Sequence, residues 1–154
     1  MKKTLIAAFI FFNLMLCGCS VKYTANPIAS LDKNLGEICI VEDTRVRESF
    51  LPAYRAALEK KGFTVRVLNP ASDVASCPVT STYTGRWSWD FVLYMAYAEI
   101  VVYRNGTKAG DALYEAPRAG WALTTDIYDS TELKIATMVD QLFPGGESSK
   151  KGLE

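Results

Sequence analysis

Four cysteines, a few carboxylates set among apolar residues and a dense run of aromatic rings are the groups with which this chain could do chemistry. There is no histidine, so the commonest general base and the commonest neutral metal ligand are both missing. Serine and threonine are plentiful, yet no GxSxG elbow or SxxK motif accompanies them, and a histidine-based triad is impossible. Glu99 interrupts the apolar run Tyr94 to Tyr103, on the parity of Tyr97 and Val101. If buried, it needs a partner, and Arg86 or Arg104 would serve. Asp90, Asp111 and Glu115 lie nearby in sequence, but no spacing selects a glycosidase-like pair among them. The expectation is therefore no catalytic residue, no metal site and no cofactor.

The aromatic run holds Tyr83, Trp87, Trp89, Phe91, Tyr94, Tyr97 and Tyr103. In an unbroken extended chain, positions 83, 87, 89, 91 and 97 share one face. Such a row could stack on sugar rings or anchor a protein partner. Core packing against helices accounts for most of these rings equally well. Trp87, Trp89 and Phe91 are the candidate binding surface.

The first twenty residues are a targeting segment. Lys2 and Lys3 form a positive start, and the apolar stretch Leu5 to Leu16 is broken only by Asn13. As a helix it spans roughly 18 Å at about 1.5 Å per residue, well short of a ~30 Å hydrocarbon core. That length suits a secretory signal rather than a membrane span. Leu16-Cys17-Gly18-Cys19-Ser20 follows and resembles the lipobox of bacterial lipoproteins. The resemblance implies cleavage after Gly18, a diacylglyceryl group on the Cys19 thiol and a further acyl chain (palmitate-like) on the new amino terminus. Two or three acyl chains anchor stably where one does not. Ser20 in place of Asp after the cysteine implies sorting to the outer membrane, with the domain facing the periplasm.

Cys17 departs with the signal and Cys19 takes lipid, which leaves Cys39 and Cys77 as a single allowed pair. Export places them where disulfides form. Two separate buried thiols are the alternative. No CxxC is present, so disulfide exchange is not expected.

The elements that must position these groups are legible in outline. Residues 19–36 carry no sustained period and read as a lipidated tether; residues 144–154 read as a polar disordered tail. Between them, residues 37–143 form one domain. Ile38 to Val41 suits a buried strand, and Phe50, Leu51, Tyr54, Ala57 and Leu58 recur at helical spacing up to Gly62. Phe63, Val65 and Val67 alternate as a strand. Pro78 to Trp89 and Phe91 to Tyr103 read as strands, and Asn105-Gly106 marks a hairpin returning along Thr107 to Ala116. Gly120 to Leu123 could be a short edge strand or a loop. Asp129-Ser130-Thr131-Glu132 looks like a capping box led by Asp129. Leu133, Ala136, Val139, Leu142 and Phe143 then give a helix its apolar stripe, ending before Pro144. The order β-α-β-β-β-α predicts an α+β two-layer sandwich with two helices on one face of a mixed sheet.

The run from Cys77 through Arg86-Trp87-Ser88-Trp89-Asp90 to Tyr94-Met95-Ala96-Tyr97-Ala98-Glu99-Ile100 is similar to small proteobacterial lipoproteins of unassigned activity. That resemblance covers most of the mature domain and implies envelope location and lipid anchoring, with no catalytic residue to carry over. In element order the domain also resembles TolB-N-terminal and CsgG-type periplasmic domains. Charge adds an exclusion. The 17 basic and 17 acidic residues balance, and loss of Lys2 and Lys3 leaves the mature chain slightly acidic. Beyond the Lys150-Lys151 pair in the tail, no basic patch exists to displace the counterions of a nucleic acid. The sequence thus points to a membrane-anchored, non-catalytic binding or scaffold module with an envelope protein as partner. Binding of peptidoglycan or another glycan is the alternative, and a carboxylate-dependent hydrolase is the third.

Overall fold

The structure is a computed structural model, and it describes residues 21–28, 36–117 and 125–145. The signal peptide, Cys19, the stretch 120–123 and the tail beyond Gly145 lie outside the described residues. Six strands and two helices form an α+β two-layer sandwich. Strands β1 (Lys22–Asn26), β2 (Glu37–Val41), β3 (Thr64–Leu68), β4 (Val79–Asp90), β5 (Val92–Arg104) and β6 (Thr107–Glu115) make one sheet in the order β1-β6-β5-β4-β2-β3. Helices α1 (Phe50–Lys60) and α2 (Thr131–Leu142) pack on each other and on one face of it.

The sheet is mixed because its two halves are built differently. β2 runs parallel to β3, with α1 as the crossover, and parallel to β4 on its other side. The meander β4-β5-β6 is antiparallel. Asn105 and Gly106 both take positive φ, 50° and 79°, which sets the tight turn between β5 and β6. Period-two alternation sends Ile38, Ile40, Tyr83, Ile100, Val102, Ala112 and Tyr114 into the helical layer, where all are buried.

The seam between the halves is short. Only Cys39↔Thr80 and Ile40↔Ser81 pair β2 with β4. Three contacts reinforce it. Cys39 and Cys77 are joined in a disulfide. The Tyr54 hydroxyl on α1 lies 2.7 Å from Ser81 Oγ in a buried hydrogen bond. Phe50, at the start of α1, stacks on Tyr83 with ring centroids 4.7 Å apart, a geometry that adds to simple burial.

Four sequence expectations need correction. The order β-α-β-β-β-α is short by two strands, since the described order is β-β-α-β-β-β-β-α, although the two-layer α+β class holds. The segment 19–36 is not wholly a tether, because Lys22–Asn26 is an edge strand antiparallel to β6. Its alternation is real, with Tyr23 and Ala25 turned to the core and Lys22, Thr24 and Asn26 outward. Two inward positions, one an alanine, give too little apolar signal to stand out. Helix α2 is capped by Ser130, whose hydroxyl accepts from Leu133 N at 3.2 Å, and not by Asp129. Its buried stripe is Ile135, Met138, Val139 and Leu142 together with Lys134, while Leu133 is exposed. The apolar residues from Ile135 onward satisfy i, i+3, i+4, i+7, and Leu133 falls outside that arc.

Closing a loop with a sequence separation of 38 restricts the unfolded chain, and the entropy model values this at about 4 kcal/mol before any native strain. Replacing both Cys39 and Cys77 with alanine is expected to lower unfolding free energy by about 2–4 kcal/mol. Urea denaturation of the two proteins, each extrapolated with its own fitted m-value, checks this.

Candidate functional site

The β4-β5 hairpin outruns its neighbours. On one side β2 reaches only Thr80 and Ser81, and on the other β6 ends at Glu115 opposite Tyr97. From Trp87↔Met95 to Asp90↔Val92, among the described strands, the two pair only with each other. The tip therefore has little to bury its side chains against. Trp89 is 71% exposed, Phe91 91%, Val92 55% and Leu93 40%. Phe91 alone makes the turn and holds φ at 56°, a left-handed conformation in which a bulky side chain is strained. Neither backbone comfort nor core packing explains a phenylalanine there. Tyr128, in the short 3-10 turn Thr125–Tyr128, is 48% exposed beside the same hairpin. Its ring packs edge-on to Tyr94 at 6.1 Å, and its hydroxyl donates to Asp90 Oδ2 at 3.5 Å.

Of the three residues singled out from sequence, the structure brings Trp89 and Phe91 together at this tip. Trp87 lies on the helical side, edge-on to Phe50 at 6.4 Å. Gly85 makes room for it, since a Cβ there would meet the Trp87 ring at 3.0 Å and Phe50 at 3.1 Å. Tyr83 and Tyr94 are buried. The single-face aromatic row does not form, because a bulge between Arg86 and Trp87 leaves Ala96 as an extra residue in β5 and reverses parity. Tyr97 consequently lies on the helix-free face, under the Arg86 guanidinium at 4.3 Å. Val92, Leu93 and Tyr128 are the tip residues that sequence reading missed. The alternation of β4 and β5 gives no hint that both strands overrun the sheet.

The carboxylates do not converge. Glu99 sits half-buried on the helix-free face and accepts from the Tyr97 hydroxyl at 3.1 Å, while Arg86 is engaged by the Tyr97 ring. Asp111 takes an ion pair from Lys108 at 2.9 Å and a hydrogen bond from Asn26 at 3.1 Å, and these contacts hold its carboxyl below the ordinary range. Asp90 is at the tip, and Glu115 is exposed at the end of β6. The described cluster with metal-ligand spacing is Glu37, Cys39 and Cys77, within 4.8 Å of one another. Its two sulfurs are bonded to each other, so they are not thiolates able to hold an ion. Arg66 instead covers this group, reaching Glu37 at 3.0 Å and Cys77 Sγ at 3.1 Å.

Behind the tip stands a residue that the apolar-stripe reading passed over. Lys134 on α2 is fully buried. Its Nζ donates to Ile127 O at 2.6 Å and to Met95 O at 3.4 Å, and lies 5.0 Å from the centre of the Tyr114 ring. One ammonium thus ties the 3-10 turn to β5 at the residue before the bulge. Desolvation pushes its pKa down to about 8, with Asp129 partly opposing. Lys134 fixes the turn that carries Tyr128.

No known protein family matches the chain, and no curated protein matches it. Solved structures do. A variant PelC dodecamer from Paraburkholderia phytofirmans aligns at a TM-score of 0.58 and 14% identity, over 80% of this chain and 98% of that one. A second PelC dodecamer structure from the same organism aligns at 0.55 and 14% identity, over 79% and 98%. The likeness is one of fold. Among the described residues no helix is long and apolar enough to cross a membrane.

The lowered lysine pKa gives a pH signature. Between about pH 8 and pH 10.5 the unfolded chain carries a proton at Lys134 that the folded chain lacks. Stability therefore climbs as pH rises through that window, and this contribution is flat below it. The full rise contributed by this group is at most about 3 kcal/mol. In Lys134→Met that contribution to the slope should vanish. Urea titrations of both proteins at pH 7.5 and pH 10 measure it as a difference of differences.

Proposed function

We propose that the chain is a lipid-anchored lipoprotein of the bacterial envelope whose domain works by binding and scaffolding, without catalysis, as one subunit of an assembly of its own copies. The observation that carries this reading is the sheet itself. Among the described elements, nothing pairs the outer edges of β1 and β3, and no helix covers the face opposite α1 and α2. Unpaired edges and a flat uncovered face are ready surfaces for a neighbouring chain. The fold is one that PelC uses in a dodecamer, matched over nearly the whole of that protein. The lipobox at Leu16 to Cys19 supplies the anchor, and the Cys39–Cys77 bond fits an oxidising compartment such as the periplasm. Outer-membrane attachment follows from Ser20 by the sorting rule.

A second reading, glycan binding, is favoured by the helix-free face. There Tyr97 and Tyr103 flank Glu99 on β5, beside Thr82 and Thr84 of β4. Trp87 packs against Phe50 while Trp89 stands out at the tip, so a sugar on the helix-free face would lie on these tyrosines instead. Retention of the protein by purified sacculi, lost on Tyr97→Ala, would favour this reading over the first.

The test of the main reading is the mass of the acylated protein extracted in mild detergent, measured by native mass spectrometry and by sedimentation over a range of concentrations. A discrete multimer is expected. A monomer at every concentration overturns the scaffold reading.

A further inference from the structure

We infer that the β4-β5 hairpin tip is a bilayer-contacting wedge, and that Trp89, Phe91, Val92, Leu93 and Tyr128 enter the interface of the membrane that holds the lipid anchor. The inference rests on the proposed acylation of Cys19 and extends it from a point of attachment to an orientation.

Strand register puts the anchor and the tip at one end of the molecule. Lys22 opens β1 opposite Glu115, Glu115 also lies opposite Tyr97, and Tyr97 pairs with Arg86. These four residues form one row across the sheet. Val21 precedes Lys22 at this row, at the end of the sheet from which the hairpin continues to Asp90. From Arg86 to Asp90 the strand advances roughly 13 Å at about 3.3 Å per residue. The link from Lys22 back to Cys19 can span at most about 10 Å. The attachment point is therefore held within that distance of the row from which the tip projects. The Asn105-Gly106 turn is at the other end.

The side chains of the tip suit a lipid interface. Aromatic and aliphatic groups make up almost the whole of it. Tryptophan and tyrosine favour the headgroup level because one part of each ring is apolar and another can hydrogen-bond. Of the carboxylates near the tip, Asp90 accepts from the Tyr128 hydroxyl at 3.5 Å, and Asp129 follows Tyr128 on the exposed side, where it can face water. Exposed Arg86 and Lys22 stand one row back, where lipid phosphates would meet them. A soluble partner's pocket would also accept such a tip, but it would not explain why the tip sits at the anchored end. Phe91 at positive φ projects furthest and is the most exposed of the group.

The test uses the mature chain with Cys19→Ser, whose described sheet and helices close a core without any acyl group. It is mixed with vesicles of phosphatidylethanolamine and phosphatidylglycerol, and with the same vesicles carrying brominated acyl chains. The expected result is co-sedimentation with a blue-shifted tryptophan emission that bromine quenches. In Trp89→Phe, binding should persist and most of the quenching should disappear. Trp89→Ser with Phe91→Ser should weaken partitioning at least tenfold without changing the circular dichroism spectrum. No binding by the parent chain overturns the inference, as does binding that the double variant leaves unchanged. It is overturned too if the double variant lowers the oligomer mass while vesicle binding stays intact, which would make the tip a subunit contact. The mass of the parent protein purified from membranes reports acylation separately, so a missing anchor and an inert tip are distinguishable failures.

Discussion

The two halves of the sheet meet at a single short seam. Between β2 and β4, only Cys39↔Thr80 and Ile40↔Ser81 are in register, and a parallel junction that short is weak on hydrogen bonds alone. Its strength comes from what crosses it. The Cys39–Cys77 bond ties the chain just ahead of β4 to β2 on the helix-free face. Tyr54 and Phe50 of α1 grip Ser81 and Tyr83 of β4 on the other face. β4 is thus clamped from both sides at its beginning, and nothing comparable holds its end. That asymmetry is the constraint on which the rest depends.

A strand fixed at one end and free at the other becomes a projecting arm. The β4-β5 hairpin leaves the sheet beyond Arg86 and Tyr97, and among the described residues no third strand pairs with its final residues. The bulge at Ala96 adds twist where the arm begins. Lys134 braces the same place from behind by holding Ile127 O and Met95 O at once. A buried ammonium held by carbonyls is an expensive brace. Its position directly beneath the exposed aromatic cluster makes sense if the arm must keep one direction. The tip is therefore a braced projection, and the proposed contacts between chains are left to the uncovered face and edges of the described sheet.

Much of the fold was legible before any coordinates. The disulfide followed from elimination among the cysteines, and Asn105-Gly106 marked its turn because both residues tolerate positive φ. A continuous apolar run marked β2, alternation marked β3, β-branched and aromatic density marked β4 and β5, and the turn implied β6; the two-layer arrangement followed from the mixture of strands and helices. What stayed hidden has a physical cause in each case. β1 turns only Tyr23 and Ala25 inward, so its strand pairing leaves almost no trace in composition. Lys134 contradicts the rule that lysines face solvent, and its burial is visible only through the carbonyls that receive it. The tip was half visible. Trp89 and Phe91 were candidates as aromatics, but their exposure depends on how far two strands overrun their neighbours, which is a property of the whole sheet. The bulge that separates Tyr97 from Trp87 is likewise a matter of pairing, and alternation within either strand alone does not reveal it.

The proposed arrangement is a domain that stands on the membrane hairpin first, attached there through an acylated Cys19. Neutron reflectometry of the acylated protein in a supported bilayer measures this directly. The account predicts protein density that begins within the headgroup layer and continues outward without a break, and a profile that retreats from the headgroups when Trp89 and Phe91 are replaced by serine. A water-filled gap between bilayer and protein, identical in the parent and the variant, would contradict it.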